Sequence, residues 1–182
     1  MNANTHLSGR HSAPPPNPAR AGASMDSIVV WLQDPARRLH GMIREIPGFA
    51  PLRHISLSVY DSETDMLWAF PCHCDDTAKP EITEIDMSDV PSLVLLADGE
   101  EPRIVADMAA FGDQGRYHTH GARNSDSRSC MTAPITLDGR FLGFVIFGAA
   151  IPNFFTPAAQ DTLLTFTEAF GILIERAAQL SD

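Results

Sequence analysis

Two short stretches of the sequence hold residues whose side chains could bind a metal ion. The first is the run Cys72-His73-Cys74-Asp75-Asp76, and the second is the pair of imidazoles in His118-Thr119-His120. Thiolate and imidazole ligands together suit zinc or iron. The Cys-x-Cys spacing differs from the two-residue spacing typical of structural zinc sites, and the two stretches lie far apart along the chain. We therefore expect loop residues here and no metal site.

The three cysteines raise a second kind of chemistry, thiol redox catalysis. A thiol reductase needs an attacking and a resolving cysteine. Cys130 begins an apolar run that predicts a core strand, where a cysteine more often acts as a small hydrophobic residue. For Cys72, His73 and Cys74 the sequence leaves metal binding and redox activity open beside the simpler interpretation of a loop.

Other polar residues that could touch a ligand precede the last two predicted strands. Asp107 follows the short apolar run Arg103-Ile104-Val105-Ala106, so its carboxylate could accept hydrogen bonds from a ligand or cap the following turn. Arg128 could bind an anionic ligand or pair with one of the abundant carboxylates. His118 and His120 could contact a ligand or lie in a solvated loop.

Composition limits the classes of function that these residues can serve. The chain has 182 residues, 44% of them hydrophobic and 20% charged, which fits one soluble domain. Its formal net charge of −10 disfavours binding to nucleic acid or to anionic membranes. The longest apolar run, 141–151, is too short to span a bilayer. With no signal-peptide pattern and few cysteines, we expect a cytoplasmic protein.

The N-terminal segment differs from the rest of the chain. Residues 1–24 contain Pro14, Pro15, Pro16 and Pro18 and almost no large apolar residue. Such a segment cannot bury enough surface to offset its ordering entropy. We therefore expect a disordered proline-rich tail over 1–24 and one folded domain over 25–182.

Apolar periodicity in that domain predicts an order of helix, hairpin, helix, strand, irregular loop, hairpin and helix. The first helix spans Asp26 to Ile46, and Pro35 is expected to kink or restart it. Alternation of Ile55, Leu57 and Val59 with polar residues predicts a half-buried strand.

Local signals mark most of the later elements. A loop is expected over 71–87, and Ser88 is expected to cap the second helix. Asp138-Gly139 between two apolar runs predicts a tight hairpin, and Thr156-Pro157 begins the last helix. This order indicates an α+β domain with an antiparallel sheet and its helices gathered on one face.

The order and spacing of several segments resemble GAF domains. The residues that carry the resemblance are Pro91-Ser92-Leu93, the run 102–107, the run 128–135, Asp138-Gly139, the run 142–148 and Phe155-Thr156-Pro157. The resemblance covers roughly residues 26 to 180. It is closest to GAF modules that accompany bacterial histidine kinases and cyclic-di-GMP enzymes.

This resemblance implies a sheet with the N- and C-terminal helices on one face and a ligand pocket on the other. The residues expected to touch a ligand are Asp107, Tyr117, His118, His120, Arg128 and Cys130. In bilin-binding GAF domains a cysteine directly precedes the pocket histidine. Tyr117 stands at that position here, so covalent bilin attachment is excluded and a non-covalent ligand stays possible. Gly143 is expected to permit a close approach inside its strand.

The expected function is therefore regulatory rather than enzymatic, because the sequence has no phosphate loop, nucleophile elbow or His-Glu-x-x-His motif. We expect a sensory GAF domain in bacterial signal transduction, such as a two-component system, that binds a small-molecule ligand or a protein partner. The sequence does not name that ligand or cofactor. The alternative is a GAF-fold thiol enzyme of the free methionine-R-sulfoxide reductase type.

A homodimer formed by the terminal helices is also expected. The last helix has one apolar stripe at three- and four-residue steps, and Leu164 and Ile174 fall outside it and widen the apolar surface. The stripe comprises Leu163, Phe166, Phe170, Leu173, Ala177 and Leu180.

Overall fold

The computed structural model describes residues 24–72, 81–99, 101–110 and 127–180. The tail predicted over 1–24 lies outside this range except for Ser24. His73, Cys74, Tyr117, His118 and His120 also lie outside it.

The described residues form three helices and one six-stranded antiparallel sheet, which confirms the α+β class. The strand order is β3-β2-β1-β6-β5-β4. In chain order the elements are α1 Met25–Arg44, β1 Leu52–Asp61, β2 Met66–Pro71, β3 Thr83–Asp86, α2 Pro91–Ala97, β4 Arg103–Val105, β5 Ser129–Leu137, β6 Arg140–Ala149 and α3 Pro157–Leu180.

Helix α1 begins where the Ser24 side chain accepts a hydrogen bond from the backbone N–H of Ser27, and Asp26 adds a favourable charge in the first turn. The helix contains Pro35 and continues through it to Arg44. The restart that the sequence allowed at Pro35 therefore does not occur. The apolar side of α1 lies on the sheet and against α3, with Ile28, Leu32 and other residues fully buried.

Helix α3 begins as predicted, with the Thr156 hydroxyl accepting from the Ala159 N–H at 3.4 Å and Pro157 at the first helical position. Its buried residues include Leu163, Phe170 and Ile174. The prediction that Ile174 lies outside the buried stripe is wrong, because its side chain is only 2% exposed.

Strand β1 lies between β2 and β6, so both of its edges are paired. Ile55, Leu57 and Val59 are fully buried on the helix side, as predicted. Ser56 and Ser58, on the opposite face, are buried as well. The prediction of a half-buried strand is therefore wrong, since it treated the serine face as solvated.

The β5–β6 hairpin turns at Asp138 and Gly139, which have φ angles of 51° and 72°. These left-handed angles are those of the tight hairpin turn that Asp-Gly favours. Strands β1 and β6 occupy the centre of the sheet. Gly143 of β6 has a φ of 145°, and a Cβ added there would collide with the Ser58 carbonyl oxygen. The close approach expected at Gly143 is confirmed, and its neighbour is the β1 backbone.

The region between β2 and β4 differs from the sequence prediction. Strand β3 forms inside the stretch expected to be a loop, pairing Ile85 with Leu67. Ser88 does not cap α2. It lies in a short 3-10 turn that is capped by Asp86. The Asp86 carboxylate accepts a hydrogen bond from the Ser88 backbone N–H at 2.8 Å. Pro91 stands at the start of α2, as the sequence predicted.

The two faces of the sheet are covered differently. One face packs against α1 and α3 through the main apolar core. The other face carries a smaller apolar cluster beneath α2. Within the described residues, no helix is long and apolar enough to cross a membrane.

Candidate functional site

Two adjacent rows of side chains cross the face of the sheet that α1 and α3 leave uncovered. Residues directly opposite one another in antiparallel strands lie on the same face. In the first row, His54 of β1, Gly148 of β6, Cys130 of β5 and Val105 of β4 are successive partners.

The second row, two residues along each strand, joins Ser56, Ile146, Thr132 and Arg103. We call the five polar residues of these rows the polar floor: His54, Ser56, Arg103, Cys130 and Thr132.

Most of the polar floor is buried. The side chains of Thr132, Cys130, Ser56 and His54 are 0%, 1%, 5% and 8% exposed. Burying a polar group without a hydrogen bond is costly, so native proteins pair such groups. The Ser56 hydroxyl donates to the Phe70 carbonyl at 3.3 Å. The Thr132 hydroxyl has no partner within the described part of the chain.

The Ser127 side chain occupies the space above Gly148 in the first row. A Cβ added at this glycine would collide with the Ser127 hydroxyl and would lie 3.2 Å from the Cβ atoms of Ser127 and His54. The Ser127 hydroxyl therefore points into the space that the missing side chain leaves. It is buried and, among the residues that the structure describes, has no hydrogen-bond partner. Two buried hydroxyls, those of Thr132 and Ser127, are thus directed at the same end of the sheet face.

An apolar cluster closes the other end of this face. Leu67, Ile85, Met87 and Phe144 are buried there, and the cluster continues into side chains of α2. The rows beyond Ser56 are therefore covered by α2. The polar floor lies beside this cluster, in the two rows that begin at His54 and Ser56 of β1.

Cys130 of β5 belongs to the polar floor. Burial raises the pKa of its thiol, while the charge of Arg103 and a hydrogen bond with the Val105 backbone oppose that rise. Its Sγ lies 3.9 Å from the Sδ of Met108. The neutral thiol is favoured here, which makes Cys130 a weak nucleophile.

Cys72 lies on the other side of the sheet, in the main apolar core. Burial raises the pKa of its thiol to about 12, although a hydrogen bond with the Leu57 backbone acts in the opposite direction. Such a thiol is neutral and shielded at physiological pH. Cys72 and Cys130 therefore lie on opposite faces. Of the described residues, no group of three or more His, Cys, Asp or Glu is arranged to hold a metal ion.

Asp107 and Arg128 bind each other. The Arg128 guanidinium donates to both carboxylate oxygens, with its Nη2 at 3.1 Å from Oδ1 and 3.0 Å from Oδ2. Oδ1 of Asp107 also accepts from the Ala109 N–H at 3.0 Å, so the turn-capping alternative for Asp107 is realised. These hydrogen bonds lower the pKa of the Asp107 carboxyl, and the bond from Arg128 has the largest effect. The pair is partly exposed and joins the end of β4 to the start of β5.

The structure thus places the predicted ligand residues in different settings. Cys130 lies in the polar floor, whereas Asp107 and Arg128 pair beside it. Tyr117 and the two loop histidines lie outside the described residues, so their assignment stays a prediction.

Sequence reasoning missed most of the polar floor, including His54, Thr132 and Arg103. In β1 the alternation of serines with apolar residues was visible in the sequence, but this pattern indicated that the serines face solvent.

The sequence matches the family model of the GAF domain over residues 20–175, which is most of the chain. The chain therefore belongs to the GAF family. No match was found among curated proteins.

Solved structures with low sequence identity share the fold. The GAF domain of an Acinetobacter phosphoenolpyruvate-protein phosphotransferase is 14% identical with a TM-score of 0.55, and the match covers 85% of this chain and 94% of that one. Free methionine-R-sulfoxide reductase from Neisseria meningitidis, solved with its substrate, is 19% identical with a TM-score of 0.55, over 81% and 79% of the two chains. A methyl-accepting chemotaxis protein fragment is 13% identical with a TM-score of 0.55, and the match covers 80% of this chain and 92% of that one.

Proposed function

We propose that this protein is a sensory, non-catalytic GAF domain that binds a small-molecule ligand on the polar floor. The observation that carries the proposal is the fully buried Thr132 hydroxyl, which has no partner within the described residues and stands in a row of buried polar side chains. A folded protein tolerates such a group at a functional site, where a ligand supplies the missing hydrogen bond.

The same strands that form the polar floor also contact the helices. Thr132 lies between Met131 and Ala133, whose side chains are buried in the helix-side core. Farther along β5, a Cβ added at Gly171 of α3 would lie 3.3 Å from the Ile135 side chain, so strand and helix approach closely. A ligand that shifts β5 therefore changes its packing against α3. This coupling gives the domain a route from binding to a signal, because packed interfaces respond to small displacements in discrete steps.

The proposed setting is cytoplasmic bacterial signal transduction, including two-component systems, in which the domain regulates a partner protein. The likeness of fold to a chemotaxis protein and to a domain of a phosphotransferase supports this setting.

The proposed signalling unit is a homodimer formed by the outer surfaces of α1 and α3. Large apolar side chains on these surfaces are exposed, with Met42 and Ile172 at 60% and Leu180 at 50%. A second copy of the chain would cover them in a closed two-fold arrangement. Light scattering should give a dimer mass for the wild type and a monomer mass for Ile172→Glu with Leu180→Glu. A wild-type mass of one chain at all concentrations would overturn the dimer.

Native mass spectrometry of the freshly purified full chain tests ligand binding. We expect an added mass that is released on denaturation. Thr132→Val removes the hydroxyl, and Gly148→Ala adds a Cβ that would collide with the Ser127 hydroxyl on the same face, so both variants should lose the added mass. Thr165→Val is the matched control, because its exposed hydroxyl bonds within α3. A bare wild-type mass, together with no thermal shift from any small metabolite, would refute the proposal.

A second candidate function is reduction of free methionine sulfoxide, which the likeness of fold to the Neisseria reductase favours. The burial and raised thiol pKa values of Cys72 and Cys130 weigh against it. The test measures turnover of free methionine sulfoxide with a thiol reductant before and after Cys72→Ser and Cys74→Ser. Turnover that depends on these cysteines would replace the sensory function with an enzymatic one.

A further inference from the structure

Helix α2 is apolar on both of its sides. Its inner side packs Leu93 and Leu96 onto the smaller apolar cluster of the sheet. Its outer side holds Val94, which is 40% exposed, and Leu95, which at 76% is the most exposed large apolar side chain of the described residues. A surface helix that only covers a core carries polar residues on its outer side. The outer side of α2 is therefore an apolar surface that the described part of the chain leaves uncovered.

Helical spacing defines this outer side. Residues three, four and seven positions apart lie on the same side of a helix. Counted from Pro91, these positions are Val94, Leu95 and Asp98, and all four residues are exposed. We call these four residues the α2 outer face. Asp89 stands two positions before the helix begins, so its apolar residues lie between two carboxylates along the chain.

The segment that contains α2 is strongly acidic. Residues 81–102 include no Lys or Arg and carry most of the net charge of −10. The carboxylates of this segment are Glu81, Glu84, Asp86, Asp89, Asp98, Glu100 and Glu101. Those that the structure describes are exposed, and none of them forms a salt bridge with another described residue. The apolar surface thus lies in a region of negative charge that its described neighbours do not neutralise.

Charge distinguishes between the classes of molecule that could cover this surface. Nucleic acid and anionic membranes are repelled by a negative surface. A second copy in a two-fold arrangement would bring the carboxylates of Asp89 and Asp98 toward those of the first copy, and like charges across an interface oppose binding. A protein segment with Lys or Arg beside an apolar side chain complements both features. Helix α2 is about 10 Å long, which matches about two turns of a partner helix.

Building on the partner protein in the function proposed above, we propose that the α2 outer face binds a basic amphipathic segment of that partner. The apolar side chains of the segment cover Val94 and Leu95, and its Lys or Arg side chains lie beside Asp89 and Asp98. Binding of an amphipathic helix through such apolar anchors is a common mode of peptide recognition.

The position of α2 also connects this surface to the polar floor. The cluster beneath α2 includes Phe144 of β6. Ile146, two residues farther along β6, lies in the second row of the polar floor. A ligand that displaces β6 therefore changes the packing beneath α2, which lets partner binding depend on ligand binding.

The test measures binding of synthetic peptides to the full chain by fluorescence polarisation. The probe is a labelled peptide of about three helical turns, with Leu on one side and Lys on the other. One control peptide has Glu in place of Lys, and a second has Ser in place of Leu. We expect only the probe to bind, and its affinity should fall as the salt concentration rises, because ions screen exposed charges.

Variants then assign the binding to the α2 outer face. Leu95→Ser should weaken binding of the probe by about tenfold or more, because it removes the largest exposed apolar contact. Ile151→Ser is the matched control, since Ile151 is an exposed apolar residue outside α2.

Charge variants test the second feature of the surface. Asp89→Asn together with Asp98→Asn should weaken binding several-fold and reduce its dependence on salt. The matched control is Glu63→Gln, which removes an exposed carboxylate of the β1–β2 turn. If Leu95→Ser fails to fold, the charge variants still carry the test.

The contrary outcomes are distinct from failure of the sensory function. Absence of probe binding, or equal binding to wild type and Leu95→Ser, would overturn the docking surface. A wild-type mass in light scattering that falls in Leu95→Ser would show that a second copy covers α2 and would also overturn it. In each case a ligand retained in native mass spectrometry leaves the sensory function standing. Probe binding as expected without any retained or bound ligand would support the docking surface and refute the sensory function.

Discussion

The two faces of the central sheet are formed by the same strands but bury different kinds of side chain. On the helix side, Leu57, Met131, Val145 and their neighbours form one continuous apolar core with α1 and α3. On the opposite side, the same strands present Ser56, Thr132 and other polar groups that are equally buried. Apolar burial stabilises the fold, whereas buried hydroxyls that lack protein partners do not. The comparison supports the proposal that the helix side stabilises the fold and that the opposite face binds the ligand.

The largest expected effect follows from removing an aromatic ring on the helix side. Phe170 of α3 is fully buried in the main core. Phe170→Ala should lower the free energy of unfolding by about 3–5 kcal/mol, because it removes apolar contacts and leaves a cavity. Urea denaturation measures the change, and Ile172→Ala, on the exposed side of the same helix, is the control. A loss no greater than that of the control would contradict the assignment of this face as the stabilising one.

The next effect concerns Gly143, where β6 approaches β1. Gly143→Val should lower the free energy of unfolding by about 3 kcal/mol or more, since it combines backbone strain at a φ of 145° with a collision against the Ser58 carbonyl. Gly99→Ala is the control, because its Cβ would meet no atom closer than 3.7 Å. Equal chemical denaturation curves for the two variants would show that the β1–β6 contact is misplaced.

A reciprocal exchange compares the two faces directly. Val145→Thr puts a hydroxyl into the apolar core and should cost about 1–3 kcal/mol. Thr132→Val removes a buried hydroxyl of nearly the same shape from the polar floor. In the ligand-free protein it should leave the free energy of unfolding unchanged or raise it by up to about 1 kcal/mol. Thermal and urea unfolding of both variants test this, and a large loss in Thr132→Val would mean that its hydroxyl has a structural role.

The smallest effect concerns the ion pair beside the polar floor. The Arg128 guanidinium lowers the pKa of Asp107, so Arg128→Gln should raise it toward the ordinary value of 3.8. Because the folded-state pKa lies below the unfolded one, the pair stabilises the protein at neutral pH. That contribution is lost as pH falls through the folded-state pKa. Carboxyl-carbon NMR titration of Asp107 in the two proteins measures the shift, and identical midpoints would show that the pair does not form in solution.

Much of the fold could be predicted from local patterns. Asp138-Gly139, Thr156-Pro157 and the alternation in β1 correctly indicated a hairpin, a helix start and a strand. Strand β3 was missed because a four-residue edge strand has too short a pattern to distinguish it from a loop. Ile174 was misplaced because α3 is apolar around more of its circumference than one stripe, and the sheet decided which side is buried.

The candidate site was harder to predict than the fold. Cys130, which the sequence predicted as a ligand residue, lies in the polar floor, and its contact with a ligand stays a prediction. His54, Ser56 and Thr132 were missed as a group because they come from strands that are distant in sequence. Their polar character indicated exposure, and only the placement of neighbouring strands shows that they are buried.

The sequence by itself determined the family, the succession of helices and strands apart from β3, and the turn at Asp138-Gly139, because these depend on residue types and spacing within a single segment. The tertiary structure alone decided which serines and threonines of the strands are buried, and which arginine shares a row with Thr132. Burial and cross-strand pairing are set by the order of strands in the sheet, here β3-β2-β1-β6-β5-β4. That order brings Arg103, Thr132 and Ser56 into one row because β6 inserts between β1 and β5, an arrangement that no local pattern specifies.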